Sequence, residues 1–132
     1  MRKWSWEKVV RSMNKIQNFT DLFTWQEGHK LVLDIYQITK TLPKQEQYGI
    51  ISQIQRAAVS VTSNIAEGFG RRGQKEKIQF YYIAHGSLTE TQNLIFVLKA
   101  VGYISHEVSI SILNQILKTQ TLLNGLIRST KS

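Results

Sequence analysis

The 132-residue chain has no cysteine, a single proline and no apolar run approaching the roughly 20 residues needed to cross a bilayer. Without cysteine there are no disulfides, no thiolate nucleophile and no Cys-based zinc or iron–sulfur centre, so the core must form by packing or by self-association. The first residues also lack the apolar segment of a secretory signal, and the expected location is cytoplasmic, with no membrane partner. Acidic residues are scarce: nine Asp and Glu stand against 17 Lys and Arg, a formal charge of +8. That excess suits a polyanion, because each phosphate neutralised by Lys or Arg releases condensed counterions, although a basic face also serves simply as a solvated one. What is present, 42% hydrophobic residues, suits one compact domain and leaves no room for a second large one.

Half of the net charge sits in the first 18 residues, where Arg2, Lys3, Lys8, Arg11 and Lys15 outweigh Glu7. Residues 1–20 therefore read as a basic N-terminal extension and residues 21–132 as the body. In the extension Trp6, Val9, Val10, Met13 and Ile16 recur at helical spacing, Lys8, Arg11 and Lys15 take other faces, and Trp4 stands just before. A basic amphipathic helix of this kind lies on RNA, on a membrane surface or on a partner, or it packs against the body or a neighbouring subunit. Asn18-Phe19-Thr20 matches a glycosylation sequon, which carries little meaning without a secretory signal.

The body reads as four helices in an all-α, antiparallel up-down bundle, since no stretch sustains strand alternation and the connections are short. Thr24 to Glu27 spells a capping box, after which Leu31, Val32, Ile35 and Ile38 form one apolar stripe up to Leu42-Pro43. The second helix is predicted to start near Pro43 and to run through Ile50, Ile54, Ala57, Ala58, Val61 and Ile65 to the glycines at 68, 70 and 73. The third spans Gln74 to Ala100 with Phe80, Ile83, Ala84, Leu88, Leu94, Ile95 and Leu98 inward and Gly102 as its stop. The fourth follows Ser105 and carries Val108, Ile112, Leu113, Ile116, Leu117, Leu123, Leu126 and Ile127. With Ile110 its stripe is wider than one narrow face, which fits either a broad core or a surface for self-association.

Gly68-Phe69-Gly70-Arg71-Arg72-Gly73 spells G-x-G-x-x-G, but it follows a helix and lacks the β-α-β surround of a dinucleotide site. It reads instead as a turn displaying Arg71 and Arg72, with Lys75 and Lys77 opening the next helix. This basic corner, together with Lys8, Arg11 and Lys15, forms the candidate nucleic-acid contact set; the same charges can also merely offset a helix C-terminal dipole. Gln53, Arg56, Ser60, Ser63, Asn64 and Glu67 recur at three- or four-residue steps opposite the apolar stripe of the second helix. With Ser87 and Glu90 of the third helix they are expected to form a structural or intersubunit polar network more readily than a catalytic cleft. Gly86 and Ser87 would let helices approach closely.

A four-helix bundle can hold a di-iron carboxylate centre, but none of Glu27, Glu46, Glu67, Glu76, Glu90 and Glu107 is followed three residues later by histidine. His29, His85 and His106 are dispersed, and no serine has a recognisable histidine and acid partner. No metal, no cofactor and no enzymatic activity are expected.

Two segments, Gln53-Ile54-Gln55-Arg56-Ala57-Ala58-Val59-Ser60-Val61 and Ser63-Asn64-Ile65-Ala66-Glu67-Gly68-Phe69-Gly70-Arg71, resemble the signature of the four-helix-bundle proteins named for the intervening sequences of 23S ribosomal RNA genes. Asp21-Leu22-Phe23-Thr24-Trp25-Gln26 is similar to the family's opening. Its third-helix motif is matched by Phe80-Tyr81-Tyr82-Ile83-Ala84-His85-Gly86-Ser87-Leu88-Thr89-Glu90, ending in Gly102-Tyr103-Ile104. The resemblance covers residues 19 to 127 and implies a bacterial four-helix bundle that assembles as a homopentameric ring with a basic surface and no enzyme activity. The family includes the accessory variability determinants of diversity-generating retroelements, basic pentamers that bind a reverse transcriptase and nucleic acid. Thr62 stands where many relatives carry proline, so the kink does not transfer, and nothing about the N-terminal extension does either.

Two functions follow as expectations. The first is a non-catalytic, homopentameric protein that binds RNA or DNA, chiefly RNA, through a basic surface with weak sequence preference. The alternative is an adaptor for a reverse transcriptase, as the accessory variability determinant of a diversity-generating retroelement. The partners in view are a second copy of the chain, nucleic acid, a reverse transcriptase and the ribosome.

Overall fold

The computed structural model describes residues 16–132. Residues 1–15 of the basic extension, with Lys8, Arg11 and Lys15 and the expectations placed on them, lie outside these residues. Four long helices dominate: α1 Phe23–Thr39, α2 Ser52–Gly70, α3 Gln74–Ala100 and α4 His106–Lys131, with no strand among the described residues. No helix among them is long and apolar enough to cross a membrane.

The capping box is placed earlier than Thr24. Asn18 Oδ1 accepts from the Thr20 N–H at 3.0 Å and the Asp21 carboxylate accepts from the Asn18 N–H at 3.0 Å, closing a short 3-10 turn over Phe19–Asp21. The sequon's Asn18 and Thr20 thus have a local structural task. Because the chain is already turning before Leu22, Thr24 falls inside the first turn of α1 and is buried, and Glu27 is left to face α4.

The second helix also begins later than Pro43 suggests. Pro43 leads a 3-10 turn at Lys44–Glu46 and then a wide turn over Gln47–Ile51, in which Gly49 takes non-helical angles (φ −112°, ψ −117°). This break in the hydrogen-bond ladder postpones regular helix to Ser52. Past it, α2 runs continuously through Thr62, whose hydroxyl donates to the Val59 carbonyl at 3.1 Å. The end of α3 is as expected: Gly102 sits at φ +83°, with Gly102 N–H donating to the Lys99 carbonyl and Tyr103 N–H to that of Leu98. These two bonds form a Schellman closure, which needs the left-handed angle that glycine adopts without penalty. Ser105 then caps α4, accepting from the Val108 N–H at 3.1 Å.

The core runs along the bundle from Leu31 and Ile35 of α1, through Ile54, Ala58, Val61 and Ile65 of α2 and Ala84, Leu88, Ile95 and Leu98 of α3, to Ile112, Ile116, Leu123 and Ile127 of α4. Two residues assigned inward on α3 are not there. Ile83 is 47% exposed and Phe80 only half-buried, while Tyr81 is 2% exposed. The arc through Ala84, Leu88, Thr91 and Leu98 extends back three residues to Tyr81, whereas Ile83 lies about 100° away from Ala84 around the helix. On α4, Val108, Ile110 and Leu117 remain exposed, outside the intramolecular core. Gly86 faces open space, so the close approach on that side of α3 belongs to Ser87.

Tyr81 fits because Gly68 has no side chain. A Cβ at position 68 would lie 2.6 Å from Tyr81 Cε1 and 3.1 Å from Phe80 Cβ. Gly68→Ala is therefore expected to lower stability by roughly 1–2 kcal/mol net, the overpacking cost of about 1–3 kcal/mol being offset in part by alanine's better helix propensity. Thermal unfolding checks this, and an unchanged midpoint would mean that the tyrosine ring moves aside freely.

Cross-helix contacts fix which helix ends lie together. On α2 and α3, Gln53 meets Glu90 and Ser60 meets Ser87. The Gln74 side chain at the start of α3 contacts the Thr130 carbonyl near the end of α4. Phe19, just ahead of α1, shares a cleft with Gly70 and Arg71 at the end of α2. One end of the bundle thus gathers the start of α1, the end of α2, the start of α3 and the end of α4. Toward the opposite end the Tyr103 hydroxyl donates to the Glu46 carboxylate at 2.8 Å, and that bond pushes the phenol above its ordinary pKa.

Candidate nucleic-acid interface

The α2–α3 turn carries the basic corner, and the structure divides its four cations by role. Arg71 pairs with Glu67 at 3.0 Å, one helical turn back, and its guanidinium lies 4.8 Å from the Phe80 ring centre. Lys77 donates to the Phe69 carbonyl at 2.7 Å, satisfying an acceptor left open at the C-terminus of α2. These two residues hold the turn in shape. Arg72 and Lys75 are exposed, and their side chains enter no hydrogen bond or ion pair among the described residues, so their charges face solvent unneutralised.

Sequence spacing does not reveal what joins them. The end of α4 brings Arg128 and Lys131 to the same end of the bundle, with Lys131 donating to the Tyr82 hydroxyl at 2.8 Å. Nothing local in the sequence links positions 72 and 131; only the packing of α4 against α3 does.

The polar ridge resolves into separate pieces. Gln53 donates to Glu90 at 3.3 Å. Ser60 and Ser87 share a hydroxyl–hydroxyl bond of 2.7 Å, and the Asn64 amide donates to the Ser60 carbonyl and hydroxyl at 2.8 and 3.1 Å. Glu67 turns instead to Arg71, and Arg56 enters none of these bonds. Arg56 borders two shallow clefts, one with Tyr48, Gln53 and Glu90 and one with Tyr36, Val59 and Ser63. The described residues contain no group of three or more His, Asp or Glu placed to hold a metal ion. His29 stacks on Trp25 with ring centres 4.7 Å apart, and His85 lies 3.5 Å from the Gln120 amide.

One strong polar junction is absent from the sequence expectations. Gln115 of α4 donates to both the backbone carbonyl and the carboxylate of Glu27 at 2.9 Å, and Lys30 and Lys118 pair with that carboxylate at 3.0 and 3.4 Å. The usable signal was a glutamate one residue from glycine on the helix face that carries Leu31 and Ile35, where the missing side chain of Gly28 lets α2 and α4 come close.

Comparison with known proteins agrees with this architecture. The crystal structure of a protein with unknown function from the S23 ribosomal protein family of Bacteroides thetaiotaomicron superposes with a TM-score of 0.73 at 25% identity, covering 79% of this chain and 97% of that one. No curated protein matches. A family model described as 23S rRNA-intervening sequence protein matches residues 20–125. On that match, carried by the four-helix body, the chain belongs to the 23S rRNA-intervening sequence protein family.

Proposed function

We propose that this protein is a non-catalytic nucleic-acid-binding protein that holds RNA through the basic end of its bundle and works as a homopentameric ring of antiparallel up-down subunits. The observation that carries the reading is the pair Arg72 and Lys75, exposed and unneutralised on a turn that Arg71 and Lys77 keep in shape, at the end shared with Arg128 and Lys131. Free cations on a supported turn suit phosphates, and their attraction is independent of base sequence. A family named for 23S rRNA favours RNA among polyanions. Lys8, Arg11 and Lys15 add charge to the same attraction.

Changing Arg72 and Lys75 together to alanine is expected to weaken binding to unrelated RNA sequences alike and to reduce the salt slope by about two, one unit for each phosphate that a removed cation would have neutralised. Fluorescence anisotropy over a salt series measures this. An unchanged slope removes the corner from the interface.

Self-association is supported by the apolar side chains left outside the core, Phe96 at 53% exposure and Leu117 at 59% among them. The same side chains favour a second reading, in which the ring is an adaptor whose apolar faces hold a reverse transcriptase while the basic end holds its template. Purification after crosslinking in the native cell separates the two. A polymerase recovered with one discrete RNA selects the adaptor, and ribosomal RNA without a polymerase selects a role at the ribosome.

A further inference from the structure

All three cation–aromatic pairs found among the described residues lie at the basic end. They are Arg71 over Phe80, Lys77 over Phe69 and Lys131 over Tyr82, the last two with the ammonium 5.3 Å from the ring centre. The rings flank the first turns of α3 on two sides. Phe80 lies against Gly68 of α2, and Tyr82, two residues on and about 200° around the helix, meets Lys131 at the end of α4. Tyr82 is 51% exposed, and Phe23, which opens α1 at the same end, is 72% exposed. Phosphate attraction alone requires none of these rings.

An exposed aromatic face beside a lysine offers a base a stacking surface and its flanking phosphate a counter-charge. A base within a duplex is already stacked on its neighbours and paired at its edge, so only an unpaired base can use such a surface without the cost of leaving the helix. Resting on the nucleic-acid reading above, we infer that the basic end selects single-stranded polynucleotide: an unpaired base stacks on Tyr82 while Lys131, Arg72 and Lys75 hold the phosphates around it. Stacking reads no 2′-hydroxyl, so RNA and DNA single strands are bound alike at this site. Discrimination lies between single strand and duplex.

The test uses the full chain and labelled single-stranded RNA of about 12 nucleotides, within the site sizes of sequence-tolerant binders, beside the same sequence as DNA and as an RNA duplex. At one salt concentration the single strands are expected to bind more tightly than the duplex. Tyr82→Ala is expected to lower single-strand affinity roughly 5- to 150-fold, the loss of one stacked base, and to leave duplex affinity and the salt slope unchanged. Tyr82→Phe keeps the ring and is expected to retain single-strand affinity. Duplex binding equal to or tighter than single-strand binding, or a Tyr82→Ala loss shared equally by both ligands, overturns the inference and leaves nucleic-acid binding standing. Failure of wild-type protein to bind any of the three probes overturns the functional reading, and this inference with it.

Discussion

Tyr81→Ala is expected to destabilise the folded chain by about 3–5 kcal/mol, whereas Ile83→Ala, two residues on, is expected to stay within about 0.5 kcal/mol. Both are large side chains on the same stretch of α3, and they differ in what surrounds them. The Tyr81 ring is 2% exposed and fills the space left by the missing side chain of Gly68, and burial pushes its phenol above the ordinary pKa. Truncation there removes a buried ring and leaves a cavity that the neighbouring helices close only in part. Ile83 is 47% exposed, so alanine removes surface that water already reaches. Urea unfolding with fluorescence detection measures both, and a shared m-value keeps the comparison valid. Equal costs at the two positions would mean that α3 is rotated relative to the orientation described. A double variant, Gly68→Ala with Tyr81→Leu, adds a check. If the two residues share one space, the cost of Gly68→Ala falls when the ring is gone.

The same pair shows how much of the fold could be read from the sequence. The period of apolar residues gives four helices, and caps that depend on local chemistry fall where they are expected: Ser105 before α4 and Gly102 after α3. Phe80, Tyr81, Tyr82 and Ile83 form an unbroken apolar run, and within such a run periodicity does not settle which residue points inward. The choice is made by a neighbouring helix, through Gly68. Likewise Thr24 to Glu27 satisfies the spacing of a capping box, but Asn18 and Asp21 have already begun the turn upstream. Of the candidate site, the turn with Arg71, Arg72, Lys75 and Lys77 was legible because its residues are consecutive or nearly so. The division between two supporting and two free cations was not, because it depends on Glu67, Phe80 and the open carbonyl of Phe69. Tyr82 and Lys131, 49 residues apart, meet only through the packing of α3 and α4.

Stability is expected to fall as the pH drops from about 4.5 to about 2, with Glu27 as a principal contributor. The hydrogen bond that the Gln115 amide donates to its carboxylate is the largest cause, with Lys30 and Lys118 adding to it, and together they lower its pKa from the ordinary 4.5 to about 2 against the opposing effect of burial. A carboxyl whose folded-state pKa is depressed binds fewer protons folded than unfolded across that window, so stability rises with pH there. The contribution is complete above about pH 4.5 and is lost as the pH falls through about 2. Lys30 and Lys118 are 60% and 61% exposed, which screens their share. The hydrogen bond from Gln115 to a nearly buried carboxylate then dominates, and Glu27→Gln is expected to cost about 2 kcal/mol at pH 7, within the roughly 1.5–3 kcal/mol of bonds to charged groups. The decisive quantity is the difference in unfolding free energy between wild type and Glu27→Gln as a function of pH, because other carboxyl groups titrate equally in both chains. That difference should be flat above about pH 5 and shrink toward zero near pH 2. A difference that persists undiminished at about pH 2 would assign the loss to packing between α1 and α4, and Gln115→Ala then separates the two causes: if its cost arises through the carboxylate it fades in acid, and if it arises through packing it does not.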